Sequence, residues 1–111
     1  MTTMVTVEQQ VESLIERVNN EWKVNAIESG HSVYTQLEYE VGRKYIKIWS
    51  YTVDVGERLN GRSCWMFVDK KSGECYKPAS YKAPAKHVRY LITQLADNPH
   101  ICDPYGSFLY L

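Results

Sequence analysis

Near the start of the chain, apolar residues recur at Val7, Val11, Leu14, Ile15, Val18, Trp22 and Ala26, the three-and-four spacing of one helical face. Glu8, Glu12, Glu16 and Glu21 occupy most of the remaining positions. Thr6 followed three residues later by Gln9 is a capping-box pattern, and Gly30 sits where a helix commonly closes on a left-handed residue. The spacing predicts a helix over 7–29 whose acidic side is a solvated surface. After Gly30 the period drops to two. Val33, Thr35, Leu37, Tyr39 and Val41 alternate with Tyr34, Gln36, Glu38 and Glu40, a half-buried strand, and Gly42-Arg43 is read as a two-residue type II′ turn. A second strand over 44–53 places Ile46 and Ile48 on one face and Tyr45, Lys47, Trp49, Tyr51 and Val53 on the other.

A polar loop, expected to be mobile, runs from Asp54 to Arg62 and includes the turn pair Asn60-Gly61. Strands over 63–69 and 74–77 flank Lys70-Lys71-Ser72-Gly73, a four-residue hairpin loop with Gly73 at its left-handed end. Pairing Asp69 with Glu74 sets Val68 opposite Cys75 and keeps Cys64 away from Cys75, which disfavours a disulfide between them. That register puts Cys64, Met66, Val68 and Cys75 on an aliphatic face and Trp65, Phe67 and Tyr76 on an aromatic one. Pro78 ends the sheet, and Pro84 suits a first helical position before the apolar stripe Ala85, Val88, Leu91, Ile92 and Leu95. The helix should stop near Asp97-Asn98, before Pro99. The expected fold is a single α+β domain over 1–111: N-terminal helix, antiparallel sheet of three or four strands, C-terminal helix, both helices on the aliphatic face. Residues 98–111, ending in Phe108-Leu109-Tyr110-Leu111, form a docked tail.

Charge changes this picture more than composition does. Formal charges cancel over the chain, but residues 1–40 carry seven acids against two bases, and residues 41–90 carry eleven bases against four acids. The basic excess culminates in Tyr76–Tyr90, where three lysines, an arginine and a histidine are interleaved with three tyrosines. Such a mixture of cations and rings suits phosphates and unpaired bases. Three cysteines and no long apolar run fit a reducing cytoplasm and no membrane span. A zinc site would need Cys64, Cys75 and Cys102 to converge with His31, His87 or His100, and no pair has the spacing of a zinc knuckle. No phosphate-binding glycine loop or nucleophile elbow is present, so neither an enzyme nor a cofactor is expected.

Three segments carry a resemblance: GRKYIKIW at 42–49, RSCWMFVDKKSGECYKP at 62–78, and KPASYKAPAKHVR at 77–89. Together they resemble a family of small uncharacterised tailed-phage proteins with a G-R-K-Y-I-K-I strand and a K-P-A-S-W-K-A-P-A-K-H-A-R segment. The likeness covers residues 42–92, about half the chain, and departs from the pattern at Tyr81, where the family has tryptophan. It implies a viral origin, residence in the host cytoplasm and a shared surface, but no activity. A second, topological resemblance is to the double-stranded RNA-binding domain, whose last helix presents lysines to phosphates. Lys82 and Lys86 would take that role here, although Pro84 removes a backbone donor and no histidine-bearing loop follows the first strand.

The expected function is that of a small phage accessory protein binding nucleic acid, single-stranded by preference. Its candidate contacts are Lys77, Tyr81, Lys82, Lys86, His87 and Arg89 on the basic segment, with Lys47 and Trp49 on an open aromatic sheet face. The alternative is a protein that binds and modulates a host or viral protein.

Overall fold

In the computed structural model, which describes residues 6–110, helix α1 spans Val7–Glu28. Thr6 Oγ1 accepts from the Gln9 N–H at 3.1 Å while Gln9 Oε1 accepts from the Thr6 N–H at 3.0 Å, the reciprocal cap that the sequence predicts. Gly30 closes the helix at φ +75°. Val11, Leu14, Ile15, Val18 and Ala26 are buried along its apolar stripe.

Six strands follow: β1 (Val33–Val41), β2 (Tyr45–Asp54), β3 (Glu57–Arg58), β4 (Ser63–Asp69), β5 (Glu74–Tyr76) and β6 (Tyr90–Leu91). All pairings are antiparallel in the order β1-β2-β4-β5-β6, with β3 beside the end of β2. The fold is therefore α+β as expected, with a larger sheet than the three or four strands predicted. Val68 opposes Cys75, as the assumed hairpin register requires, and Gly73 takes φ +76°. Asp69 Oδ1 ties that loop by accepting from the N–H groups of Lys71 and Ser72 at 2.8 and 3.0 Å.

Two turns differ from expectation. Val41 pairs with Ile46, and the Gly42 N–H donates to the Tyr45 carbonyl at 2.9 Å, so the tight turn is Arg43-Lys44 rather than Gly42-Arg43. Gly42 lacks a positive φ; a Cβ there would stand 2.9 Å from the Tyr45 oxygen, so close approach explains the glycine and a type II′ turn does not. The segment expected to be a mobile polar loop folds instead as a hairpin. Val55 and Gly56, at φ +51° and +78°, form a two-residue turn that pairs Glu57 and Arg58 with Asp54 and Val53.

The largest correction lies at residues 84–91. Pro84 does not begin a helix; it forms a bridge with Pro78, and the Ala85 N–H donates to the Lys77 carbonyl at 2.7 Å. His87 is left-handed at φ +74°, and the Arg89 N–H donates to the Cys75 carbonyl at 2.8 Å. The chain thus returns along β5 as a hairpin-like excursion and covers a strand edge that would otherwise present bare hydrogen-bonding groups. Only Ile92–Asp97 is helical (α2), with Ile92 and Leu95 buried while Val88 and Leu91 stay exposed. Lys82 and Lys86 consequently do not sit at a helix N-terminus, which removes the basis of the likeness to a double-stranded RNA-binding domain.

A β-bulge sets the two faces of the sheet. Ile48 opposes Met66, but Trp49 opposes Cys64, so Trp65 is an extra residue in β4. From there to the start of β4 the alternation is displaced. Trp65 joins the inner, helix-covered face with Met66, and Cys64 goes to the outer face with Trp49, the reverse of their predicted sides. The inner core unites Leu14 and Val18 of α1, Ile46, Ile48, Met66 and Val68 of the sheet, Ile92 and Leu95 of α2, and Leu109 of the tail. Helix α1 also seals the sheet edge: Asn19 accepts from the Leu37 N–H at 2.7 Å and donates to the Leu37 carbonyl at 2.9 Å, as a neighbouring strand would.

The tail docks on the inner face through Trp65. The indole Nε1 donates to the Asp103 carbonyl at 3.1 Å, and the ring packs against Phe108 at 5.1 Å and edge-on to Trp22 at 6.2 Å. Leu111, the last residue of the expected tail, lies outside the described residues. The Asp103 carboxylate accepts from the N–H groups of Tyr105, Ser107 and Phe108 at 2.9–3.1 Å and from the Ser107 hydroxyl at 2.9 Å. Burial works against its charge, but those hydrogen bonds outweigh burial and hold the carboxyl below the usual range. A depressed folded pKa stabilises fully above the unfolded value of about 3.9 and is lost as pH falls through the folded value. Asp103→Ala should therefore cost about 2 kcal/mol or more at neutral pH. Urea midpoints compared with wild type should converge as the pH is lowered below about 4.

Candidate functional site

The basic excursion stands clear of the body. Tyr81 is 58 % exposed at its tip, Lys82, Lys86 and His87 are exposed beside it, and the Ala79 and Ser80 N–H groups close the tip on the Ala83 carbonyl at 3.0 and 3.2 Å. The Lys82 ammonium lies 5.5 Å from the Tyr81 ring. At the base of the excursion, Lys77 stands 4.2 Å over the ring of Tyr110, so tail and excursion meet there. Arg89 is half-buried, and its Nε is enclosed without a hydrogen-bond partner among the described residues. No acidic residue occurs between Glu74 and Asp97. Among the described residues every ion pair is made by Arg58 or Arg62 with Glu38 or Glu40, which leaves the lysines of the excursion unpaired.

The structure separates Lys47 and Trp49 from that group and places them on the outer face of the sheet. The aromatic residues there do not form an open platform. Trp49 is 7 % and Phe67 1 % exposed. The tail does not cover them; cations do. The Arg62 guanidinium lies 4.0 Å from the Trp49 ring centroid, Arg58 lies 4.1 Å from that of Tyr51, and the Lys47 ammonium stands 5.6 and 5.7 Å from Trp49 and Phe67. Tyr45 packs edge-on against Phe67 and Tyr76 at 5.7 and 6.1 Å. Glu38, across the strand pair from Trp49, holds the roof in place. It accepts from Arg58 at 2.7 and 2.9 Å and from Arg62 at 3.3 Å. The Arg58 hydrogen bonds, partly opposed by burial and reinforced by Arg62, keep its carboxyl below the ordinary range.

Arg58, Arg62 and Glu38 were not singled out by sequence. Their meeting depends on the β2–β3 turn, where a β-branched Val55 adopts a left-handed conformation that its residue type disfavours. Two arginines close to the turn pair Asn60-Gly61 were the available hint; nothing local connects them to a glutamate twenty or more residues earlier.

The thiols offer little nucleophilic chemistry. All three are free, with Cys75 and Cys102 in the core and Cys64 on the outer face. Burial pushes Cys64 up to about 11 despite Lys47 and Arg62 nearby, pushes Cys102 to about 12 and raises Cys75 further, so each is a protonated thiol at neutral pH. Among the described residues no helix is long and apolar enough to cross a membrane.

Two outcomes follow from the buried outer face and the free thiols. Trp49→Ala should lower stability by about 3–5 kcal/mol, comparable with the roughly 2–5 kcal/mol for Ile48→Ala on the inner face, because both side chains are enclosed. Urea midpoints of the two variants, with the slopes checked for change, measure this. Alkylation after unfolding without reductant should modify all three cysteines, whereas the native protein should react slowly and at Cys64 first; a mass consistent with a disulfide would contradict the register.

Comparison with known proteins adds a family and no activity. Neither the curated proteins nor the solved structures contain a match to this chain. A family model does match, over residues 1–111, and the chain belongs to that family of unknown function, DUF7717.

Proposed function

We propose that the protein is a small phage accessory protein that binds single-stranded nucleic acid through the excursion at 77–89. The observation that carries this reading is an exposed tyrosine ring among lysines that have no acidic partner among the described residues, on a hairpin rather than a smooth surface. Lys77, Lys82 and Lys86 contact phosphates, and Tyr81 stacks on a base. His87 flanks them at a left-handed backbone position, and the Arg89 N–H ties the end of the excursion to the Cys75 carbonyl. A two-ended grip of this kind suits a flexible single strand, whose bases are free to turn onto the ring. The phage assignment is supported by the three sequence segments described above.

Fluorescence anisotropy with a labelled oligothymidylate at low salt tests the reading. Wild type should bind, with log affinity falling against log salt by about 0.7 for each phosphate contacted, hence a slope near −2 for three lysines. Replacing Lys82 and Lys86 with glutamine should flatten the slope by about 0.7 per lysine removed. Tyr81→Ala should weaken binding by about 1–3 kcal/mol while leaving the salt slope unchanged. If wild type binds neither DNA nor RNA at low ionic strength, the nucleic-acid reading fails and the modulator of a host or viral protein replaces it.

A further inference from the structure

The outer face of the sheet contains a second arrangement of cations and rings, and this one is closed. Arg58 and Arg62 converge on the Glu38 carboxylate, with guanidinium nitrogens 2.7–3.3 Å from it, and Arg62 also reaches Glu40 at 3.6 Å. Each guanidinium also rests on a ring, Arg62 on Trp49 and Arg58 on Tyr51. Two guanidinium groups gripping one oxyanion and backed by aromatic faces is an arrangement that a phosphodiester fits as well as a carboxylate does, since guanidinium forks match both. Beneath the Arg62 roof the Trp49 Nε1 is buried with no hydrogen-bond partner among the described residues. Buried donors are rarely left so.

We propose that Glu38 is an internal competitor that closes a second nucleic-acid contact: a phosphate of the bound strand takes its place between Arg58 and Arg62, and Trp49, uncovered as Arg62 moves, stacks on a base. The proposal rests on the nucleic-acid reading of the excursion and adds to it a gated site on another surface. It gives Lys47 and Trp49 a role that the closed face conceals, Lys47 standing over both Trp49 and Phe67 where a neighbouring phosphate would lie. The displacement is feasible because the pairs are half-exposed, with Arg58, Arg62 and Glu38 side chains 46, 38 and 30 % accessible. Exposed pairs of this kind contribute little, so a strand already tethered at the excursion has enough local concentration to compete with them.

The test is a gain of affinity. Glu38→Gln should bind oligothymidylate roughly three- to tenfold more tightly than wild type, the range expected on release of two exposed ion pairs. Glu57→Gln removes the same charge from the neighbouring hairpin, where Glu57 makes no ion pair among the described residues, and should change affinity by less than about twofold. The Glu38→Gln gain should shrink when Arg62 is also replaced by alanine and vanish when Arg58 and Arg62 are both replaced. Equal effects of the two glutamine variants, or a gain that survives loss of both arginines, would overturn the gate and leave the excursion site standing. Absence of binding by wild type and Glu38→Gln alike would overturn the nucleic-acid reading itself. A measurement on unmodified protein guards against a folding defect: titration with oligothymidylate should shift the Trp49 indole N–H resonance, and sodium chloride at the same ionic strength should not. An indole signal that stays fixed while anisotropy reports binding would also overturn the gate.

Discussion

One extra residue in β4 determines how the rest of the molecule is arranged. Because Trp65 is inserted opposite the Ile48–Trp49 step, the largest side chain in the strand turns toward the helices instead of away from them. There it serves as the anchor for the C-terminal tail, donating to the Asp103 carbonyl and packing between Trp22 and Phe108. Without the bulge, Trp65 would crowd the outer face and the tail would have no polar attachment. Cys64 would also change sides, moving a thiol into the core where an indole now fills the space.

The two faces then have different physical characters. The inner face is a conventional apolar core, sealed at the β1 edge by the Asn19 amide and at the far edge by β6. The outer face has no helix, yet its rings are kept from water by arginine and lysine side chains whose charged heads lie on the ring faces. Such a cover differs from a helix because it is held by half-exposed ion pairs with Glu38 and Glu40. The excursion, by contrast, is open from the start, its lysines unpaired among the described residues and Tyr81 exposed. Both surfaces present cations next to rings. They differ in whether a carboxylate already pairs with the cations.

Much of the architecture was legible in the residues themselves. Helix α1 was readable to within a residue because its periodicity, capping box and terminal glycine are all local signals. The β4–β5 hairpin was readable because its loop and register follow from four consecutive residues. The candidate lysines, Tyr81 and His87 were readable as a composition, and the structure does bring them together on one excursion. What the sequence by itself determined is therefore what nearest neighbours determine: the type of α1, β1, β2, β4 and β5, the α1 apolar stripe, the β4–β5 register and the basic character of one segment. Tertiary structure decided the rest, because each remaining feature depends on a partner distant in the chain. Residues 84–91 have a helical pattern, but the Lys77 and Cys75 carbonyls take up the Ala85 and Arg89 N–H groups and draw them into the sheet. The bulge at Trp65 depends on a pocket made by Trp22 and Phe108, and the closed roof over Trp49 depends on Glu38 meeting arginines from another hairpin, contacts that no local period encodes.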